Sequence, residues 1–282
     1  LDVFEQSLKA SVDILFTLDR SGSMSDDNAL VVANFSSFIE SLVELDADYH
    51  VAAAVEDDGC ILGSDAYIDN TFSLSAAQST FETQADIYLI LGSYGANTEA
   101  GFSLAEAALE ADKIGSGGCN EGFYREEASL AIVHVSDEPE QSVNPYTYYV
   151  SLFQGMKSDP DDVVIHAVAG DYPGGCGSAS PGTGYYEATV ATGGLFLSIC
   201  ATDWGSHLQE IAQASAAQLN DSFALTQLPV PETIKVWVDG IRTTTGWEYD
   251  PAINAVVFER DHIPAGGSTV EVEYALMPDC ES

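Results

Sequence analysis

Asp19, Ser21 and Ser23 alternate within DILFTLDRSGSMSDDN, residues 13–28, directly after the apolar run 14–18. One carboxylate and two hydroxyls at every second position begin an oxygen-ligand set for a hard divalent cation. Two other stretches offer matching chemistry. Thr98 closes a Gly/Asn/Ser loop, residues 93–98, at the entrance to a helical segment, and Asp137 follows the apolar stretch SLAIVHV, residues 129–135. Mg²⁺ takes about six oxygens at roughly 2.0–2.1 Å and gives up water reluctantly, so it keeps several waters beside a few protein ligands. Ser21, Ser23 and Thr98 would offer neutral oxygens, and Asp19 and Asp137 the counter-charge. Such a site leaves the ion under-neutralised, with an open position for an outside carboxylate. In an enzyme the same position would activate water.

Each motif alone has a plainer reading. An Asp and two Ser at a strand-to-helix turn also make a helix N-cap. Thr98 reads equally as a cap, and Asp137, two residues before Pro139, as a turn residue. The recurrence of oxygen ligands at three strand or helix ends is what favours a metal.

The elements that must position these residues alternate. Residues 12–18 are apolar except at Asp13 and Thr17, as in a central parallel strand. From Asn28, Val31, Phe35, Phe38, Leu42 and Leu45 recur at helical spacing. Residues 50–55 read as a second buried strand, Asp57-Asp58-Gly59 as a turn, and 66–72 as a strand at the sheet edge. Ser75 and Gln78 have the capping-box spacing and open a helix through Phe81. Residues 99–111 are helical on propensity, broken by the stretch 115–122. After strand 129–135 follow helix 145–156, strand 163–169, a Gly-rich loop 170–184, a short helix from Tyr185, strand 194–199 and a last helix 204–219.

This alternation predicts an α/β fold, a doubly wound, mostly parallel sheet with helices on both faces. Ligands in such sheets sit beyond the carboxyl ends of the strands, where the strand order reverses. Beyond Asn220 only β signals remain, at 233–238, 245–249, 255–259 and 269–275, with Asp239-Gly240 as a turn. They predict a small sandwich-like β module. The expected domains are 8–221 and 222–282, with the alternating stretch 1–7 available as an edge strand of the second.

Composition narrows the function. A 46% hydrophobic content over 282 residues suffices for a full core. Eight Lys+Arg against 45 Asp+Glu leave a net charge of -37, which excludes an electrostatic hold on nucleic acid or anionic lipid as the main activity. The acids are spread among aromatic and β-branched residues, unlike those of a disordered tail. A salty or extracellular setting suits such a surface.

Cys60, Cys119, Cys176, Cys200 and Cys280 form no CxxC pair and have no nearby His for a zinc knuckle. Two disulfides and one odd thiol are expected, in an oxidising compartment. Cys176 and Cys200 follow neighbouring strands and can bridge at the cation end. Cys60 with Cys119 then follows by elimination, although the first should lie near that end and the second after a descending helix. No signal peptide or membrane span is visible, and the start at Leu1 without Met is read as a processed or trimmed secreted fragment.

Other chemistries lack their parts. GxSxG, P-loop and HExxH motifs are absent, and the second Asp of an aspartyl phosphotransferase is replaced by Ser21. His50, His134, His166, His207 and His262 are scattered, and those in strands 129–135 and 163–169 are expected to be satisfied core groups. Tyr94, Tyr146, Tyr148, Tyr149, Tyr172, Tyr185 and Tyr186 ring the expected site, either as binding anchors or as packing under long loops.

DRSGSM, then Thr98 before a helix with Gly101 shortly after, then Ser136-Asp137 after a buried strand, together resemble the metal-ion-dependent adhesion site of von Willebrand factor A domains. The resemblance covers about residues 10–220. The loop around Gly118-Cys119-Asn120 with Gly122-Phe123-Tyr124-Arg125, followed by a strand ending in SDE, resembles secreted bacterial members. Glu138 stands where many members carry Gly, and an extra acid there would raise cation affinity or compete with a ligand carboxylate.

The resemblance implies a von Willebrand factor A-like fold and one divalent cation held by Asp19, Ser21, Ser23, Thr98 and Asp137. Mg²⁺ is expected, with Mn²⁺ or Ca²⁺ as alternatives. It also implies non-enzymatic adhesion to a protein or glycan partner offering a carboxylate or other oxygen, on a secreted or cell-surface protein. In relatives with switchable affinity the last helix slides as the metal site opens. Equal cation affinity with and without residues 222–282 would exclude such coupling here. The rival readings are a metal-dependent hydrolase, whose only evident base is Glu138, and a structural surface module with a closed cation shell.

Overall fold

The structure, a computed structural model, describes residues 1–6, 11–85, 99–216, 222–259, 262–264 and 266–276. Thr98, Tyr94, Cys280 and the predicted loop 93–98 lie outside the described residues. The chain divides into two compact units, Ser11–Ala217, and Leu1–Ala10 together with Gln218–Ser282.

Strand β1 (Asp2–Glu5) belongs to the second unit. The first unit is built on β2 (Ser11–Leu18), β3 (Asp48–Ala54), β4 (Ser129–Ser136), β5 (Val163–Ala169) and β6 (Phe196–Ser198). They form one sheet in the order β3-β2-β4-β5-β6 with every pair parallel. Its helices are α1 (Ser25–Glu44), α2 (Leu74–Ala85), α3 (Gly101–Ala108), α4 (Ala111–Ile114), α5 (Tyr146–Gln154), α6 (Tyr185–Thr192) and α7 (Trp204–Ala216). Strand side chains alternate between two covered faces, which is why β2 and β4 read as nearly continuous apolar runs. Val12, Ile14, Phe16 and Leu18 pack with α1, α2 and α7, while Leu15, Leu130 and Ile132 pack with α3, α5 and α6. This is the doubly wound architecture expected from the sequence. The chain leaves β2 toward β3 and returns on its other side as β4, so the strand order reverses between β2 and β4.

Asp13, the charge inside β2, is fully buried and answered from outside the strand. Arg125 donates to it from the backbone N at 2.5 Å and from Nε at 2.8 Å. Arg125 Nη2 also donates to the carbonyls of Val12 and Asp48, at 3.1 and 3.2 Å.

Three local expectations are corrected. Residues 66–72 form no strand, only an antiparallel bridge between Val51 and Ile68. Asn70 takes the backbone partners a strand would need, accepting from Tyr49 N and donating to Ala47 O, while Asp69 turns the chain by accepting from Thr71 N. Helix α2 is capped by Ser73, whose Oγ accepts from Ala76 N at 3.2 Å, and not by Ser75. Gln78 instead reaches across to the carbonyl of Val32 on α1. The helix predicted over 99–111 stops at Ala108, because Asn120 Nδ2 donates to the Ala108 carbonyl and draws it away from continued helix.

The second unit adds β7 (Ser222–Ala224), β8 (Lys235–Val238), β9 (Ile241–Thr243), β10 (Trp247–Asp250), β11 (Ala255–Phe258) and β12 (Thr269–Glu273). Two antiparallel sheets, β1-β12-β8-β9 and β10-β11-β7, share a core that includes Phe223, Val236, Val256, Phe258, Val270 and Val272. Asp239 and Gly240 both have positive φ, 52° and 75°, as a two-residue hairpin turn between β8 and β9 requires. In sequence, the α/β unit is thus inserted between β1 and β7.

Both disulfides pair as expected, Cys60 with Cys119 and Cys176 with Cys200. The first spans 59 residues and the second 24. Loop-closure entropy predicts that removing the longer link costs about 0.8 kcal/mol more than removing the shorter. Urea unfolding of Cys60→Ser/Cys119→Ser against Cys176→Ser/Cys200→Ser measures this. A reversed order would mean that native packing around the shorter bridge outweighs chain entropy.

Candidate metal centre

The site grows from the register between β2 and β4. Leu18 pairs with Val135, so the next residues, Asp19 and Ser136, emerge side by side at the carboxyl end of the sheet. Asp19 N donates to Val135 O at 3.0 Å and holds the tips together. Asp19 is buried; its Oδ1 accepts from Ser21 N and its Oδ2 from Ser136 Oγ, both at 2.7 Å. From the first turn of α1, Asn28 Nδ2 donates to the Asp19 carbonyl at 2.7 Å.

The hydroxyls face the same point. Ser21 Oγ and Ser23 Oγ are 3.1 Å apart, and Ser23 Oγ donates to Asp137 Oδ1 at 3.2 Å. Asp137 is buried, and its carbonyl accepts from Ser180 N of the loop after β5 at 2.8 Å. Ser21 precedes the 3-10 turn Gly22–Met24 yet makes no side-chain cap hydrogen bond, so its hydroxyl is not used as an N-cap. Four of the five predicted ligands, Asp19, Ser21, Ser23 and Asp137, therefore meet in one cluster. The fifth, Thr98, lies outside the described residues. Ser136 is a further member. Its position as the hydroxyl immediately before Asp137 was visible in the sequence, but its bond to Asp19 was not.

Burial pushes the Asp19 carboxyl up to about 6, with the Asp137 charge adding to it, while the bonds from Ser136 and Ser21 pull it back. Asp137 is also raised, by burial first, against the pull of Ser23. On α1, Asp27 is pushed up to about 6 by burial and by the charges of Asp26 and Asp137. The neighbouring cation turns elsewhere: Arg20 pairs with Glu56 at 2.6 Å. Among the described residues no Lys, Arg or His forms an ion pair with Asp19 or Asp137.

No group of three or more His, Cys, Asp or Glu able to hold a metal occurs among the described residues. The donor set here is two buried carboxylates with two hydroxyls, all oxygen. That chemistry fits a small hard cation and not a soft one, and a divalent charge would offset the two acids.

The tyrosines divide. Tyr149 and Tyr185 are buried supports, with Tyr149 OH 2.9 Å from Ser103 Oγ and Tyr185 OH accepting from Gly101 N at 3.3 Å. Tyr172 is exposed and stacks on Tyr186 at 4.1 Å, and Tyr148 is exposed.

His166 is the satisfied core group expected, its Nδ1 accepting from Leu195 N at 3.0 Å and its Nε2 lying 3.3 Å from Ser215 Oγ. His134 corrects the same expectation. Its Nδ1 meets Thr17 Oγ1 at 2.6 Å, but its Nε2 is buried without a partner, beside the rings of Phe102 and Tyr185. Burial lowers the two imidazoles to about 3 for His134 and about 4 for His166. Both stay neutral in the fold but protonate in the unfolded chain below about 6.5, so the unfolded state binds the extra protons. Their contribution to stability is complete above that pH and is lost as pH falls toward 4. His166→Gln is expected to reduce the slope of unfolding free energy against pH by about one proton in this window. An unchanged slope would show that His166 titrates alike in both states.

No protein-family model matches the sequence. No curated protein matches it either. Among solved structures, proximal thread matrix protein 1 from the mussel byssus is similar at 13% identity and a TM-score of 0.47, over 78% of this chain and 49% of that one. Another structure of that protein, with a zinc-occupied MIDAS motif, is similar at 14% identity and a TM-score of 0.43, over 79% of this chain and 51% of that one. The human COPII-coat protein Sec24c is similar at 10% identity and a TM-score of 0.44, over 98% of this chain and 42% of that one. The chain thus spans about half the length of the mussel protein. These likenesses are remote, and the architecture and the cluster stand on this chain's own residues.

Proposed function

We propose that the α/β unit is a divalent-cation-dependent ligand-binding module of the adhesion type. Asp19, Ser21, Ser23 and Asp137, with Thr98, would hold one cation, Mg²⁺ first and Mn²⁺ or Ca²⁺ as alternatives. The observation that carries the reading is the bond from Ser23 Oγ to Asp137 Oδ1, which joins two oxygen-bearing tips 114 residues apart around buried acids that pair with no cation among the described residues. When bound, the cation would offer an open coordination position to a carboxylate or other oxygen of a protein or glycan partner. Asp19 and Asp137 would supply the counter-charge from inside, and the less buried Ser21 and Ser23 would form the rim.

The binding reading is preferred over a hydrolase. Ser136 Oγ donates to the Asp19 carboxylate at 2.7 Å and is not free as a nucleophile, and the base that a hydrolase would need is offered here by Glu138. Two disulfides support an oxidising compartment, hence a secreted or surface-displayed protein. The likeness of residues 118–125 to secreted bacterial proteins extends this to a bacterial source. Repulsion between the -37 chain and an acidic partner is screened beyond about 8 Å at physiological ionic strength, so it slows encounter without preventing contact.

Titration with Mn²⁺, followed by the electron paramagnetic resonance signal of the free ion, tests the reading. One saturable site, displaced by excess Mg²⁺ and lost in Asp19→Asn, is expected. No saturable binding by the full chain would overturn it. Glu138→Gln is expected to leave the binding in place, whereas a hydrolase would lose turnover on that change.

A further inference from the structure

We propose that Glu140 is a positioning residue for this cation site, locking the segment that follows Thr98 to the loop that carries Asp137. The inference rests on the binding reading above, but its geometry is independent of it.

A helix leaves its first backbone N–H groups without intrahelical acceptors. In α3 the cap position is Ala100, which has no side-chain acceptor. Each of the first three amides is instead satisfied from another part of the chain. Gly101 N donates to Tyr185 OH at 3.3 Å, Phe102 N to Glu140 Oε1 at 3.3 Å, and Ser103 N to Ser142 Oγ at 2.9 Å. Leu104 N is the first to find its partner within the helix turn, at Ala100 O.

Glu140 controls two of these three contacts. It accepts directly from Phe102 N, and it also accepts from Ser142 N at 3.0 Å and from Ser142 Oγ, which orients that hydroxyl toward Ser103 N. The backbone on either side completes the clamp. Gln141 N donates to Glu99 O at 3.0 Å, and Glu140 N donates to Thr183 O at 3.0 Å. The loop that begins with Asp137 is therefore tied at 140–142 to the residues directly after Thr98. A carboxylate beside the first turn is also favourable against the helix dipole.

Without this carboxylate, Phe102 N loses its acceptor and Ser142 its orientation, while the Ser23–Asp137 half of the cluster is untouched. Glu140→Ala is expected to weaken Mn²⁺ binding by the full chain about 10-fold or more, in the range typical of outer-shell partners of a metal site. Glu140→Gln keeps one acceptor oxygen for Phe102 N and Ser142 Oγ but sets an NH2 group against Ser142 N, so it is expected to recover part of the affinity that Glu140→Ala loses. In cation-free protein, amide hydrogen exchange at Phe102 and Ser103 should accelerate in Glu140→Ala and not in Glu140→Gln, with β2, β4 and β5 unchanged.

Full Mn²⁺ affinity in Glu140→Ala, in a protein whose binding Asp137→Asn abolishes, would overturn the positioning role and leave the cation site standing. Parent-like exchange at Phe102 and Ser103 in Glu140→Ala would overturn the clamp itself. A parent chain that binds no Mn²⁺ would instead remove the binding reading, and the exchange measurement would still judge the clamp.

Discussion

Asp137→Asn is expected to lower Mn²⁺ affinity by more than about 100-fold, beyond the 10–100-fold that outer-shell partners typically cost. Its carboxylate is one of two in a cluster whose other members are neutral hydroxyls, so half the counter-charge goes with it. Asparagine keeps an oxygen to accept from Ser23, so the shape of the cluster survives. The cation-free variant should also unfold no more easily than the parent, because a buried acid next to Asp19 has been neutralised. A cation that binds only the folded form raises the unfolding temperature of the parent and should leave that of the variant unmoved. Thermal unfolding with and without Mn²⁺ separates the possibilities. A variant that is less stable alone, yet still stabilised by Mn²⁺, would mean that Asp137 is a structural residue.

Arg125→Ala should produce the largest loss of stability, about 3–5 kcal/mol, the range for breaking a buried ion pair from one side. Asp13 is fully buried in β2, and the lost guanidinium would leave a charge in the core with its main partner gone. The same change removes the donor to the carbonyls of Val12 and Asp48, and the ion pair at 3.0 Å with the Asp48 carboxylate. Asp13→Leu combined with Arg125→Met should recover most of the loss, since an apolar pair of similar volume avoids the desolvation of both charges. Urea unfolding of the cation-free chains measures each step. Mn²⁺ affinity should not follow, because Asp13 lies six residues, about 20 Å of strand, from Asp19. A loss under about 1 kcal/mol would show that the pair behaves as a surface salt bridge.

Much of the architecture was legible because it rests on short-range periodicity. A strand covered on both faces must be apolar at nearly every position, and residues 12–18, 129–135 and 163–169 meet that requirement with few exceptions. The last helix announces itself through Leu208, Ile211 and Ser215 on one face. Where side chains replace backbone partners, periodicity misleads. Asn70 occupies the groups of the strand expected at 66–72, Asn120 ends α3 from twelve residues away, and Ser73 outcompetes Ser75 as a cap. The corresponding bonds join residues that local patterns do not relate.

By itself, the sequence determined the alternating α/β plan, the oxygen chemistry available at its turns, and an excess of acid that offers no electrostatic hold on a polyanion. The tertiary structure decided which turns meet. Pairing of Leu18 with Val135 sets Asp19 beside Ser136 and brings Asp137 within reach of Ser23. A slip of two residues would preserve every inward and outward side chain and separate them, since the pattern repeats with period two. Only the packing of both sheet faces, over the full lengths of β2 and β4, selects one register, and with it the cluster.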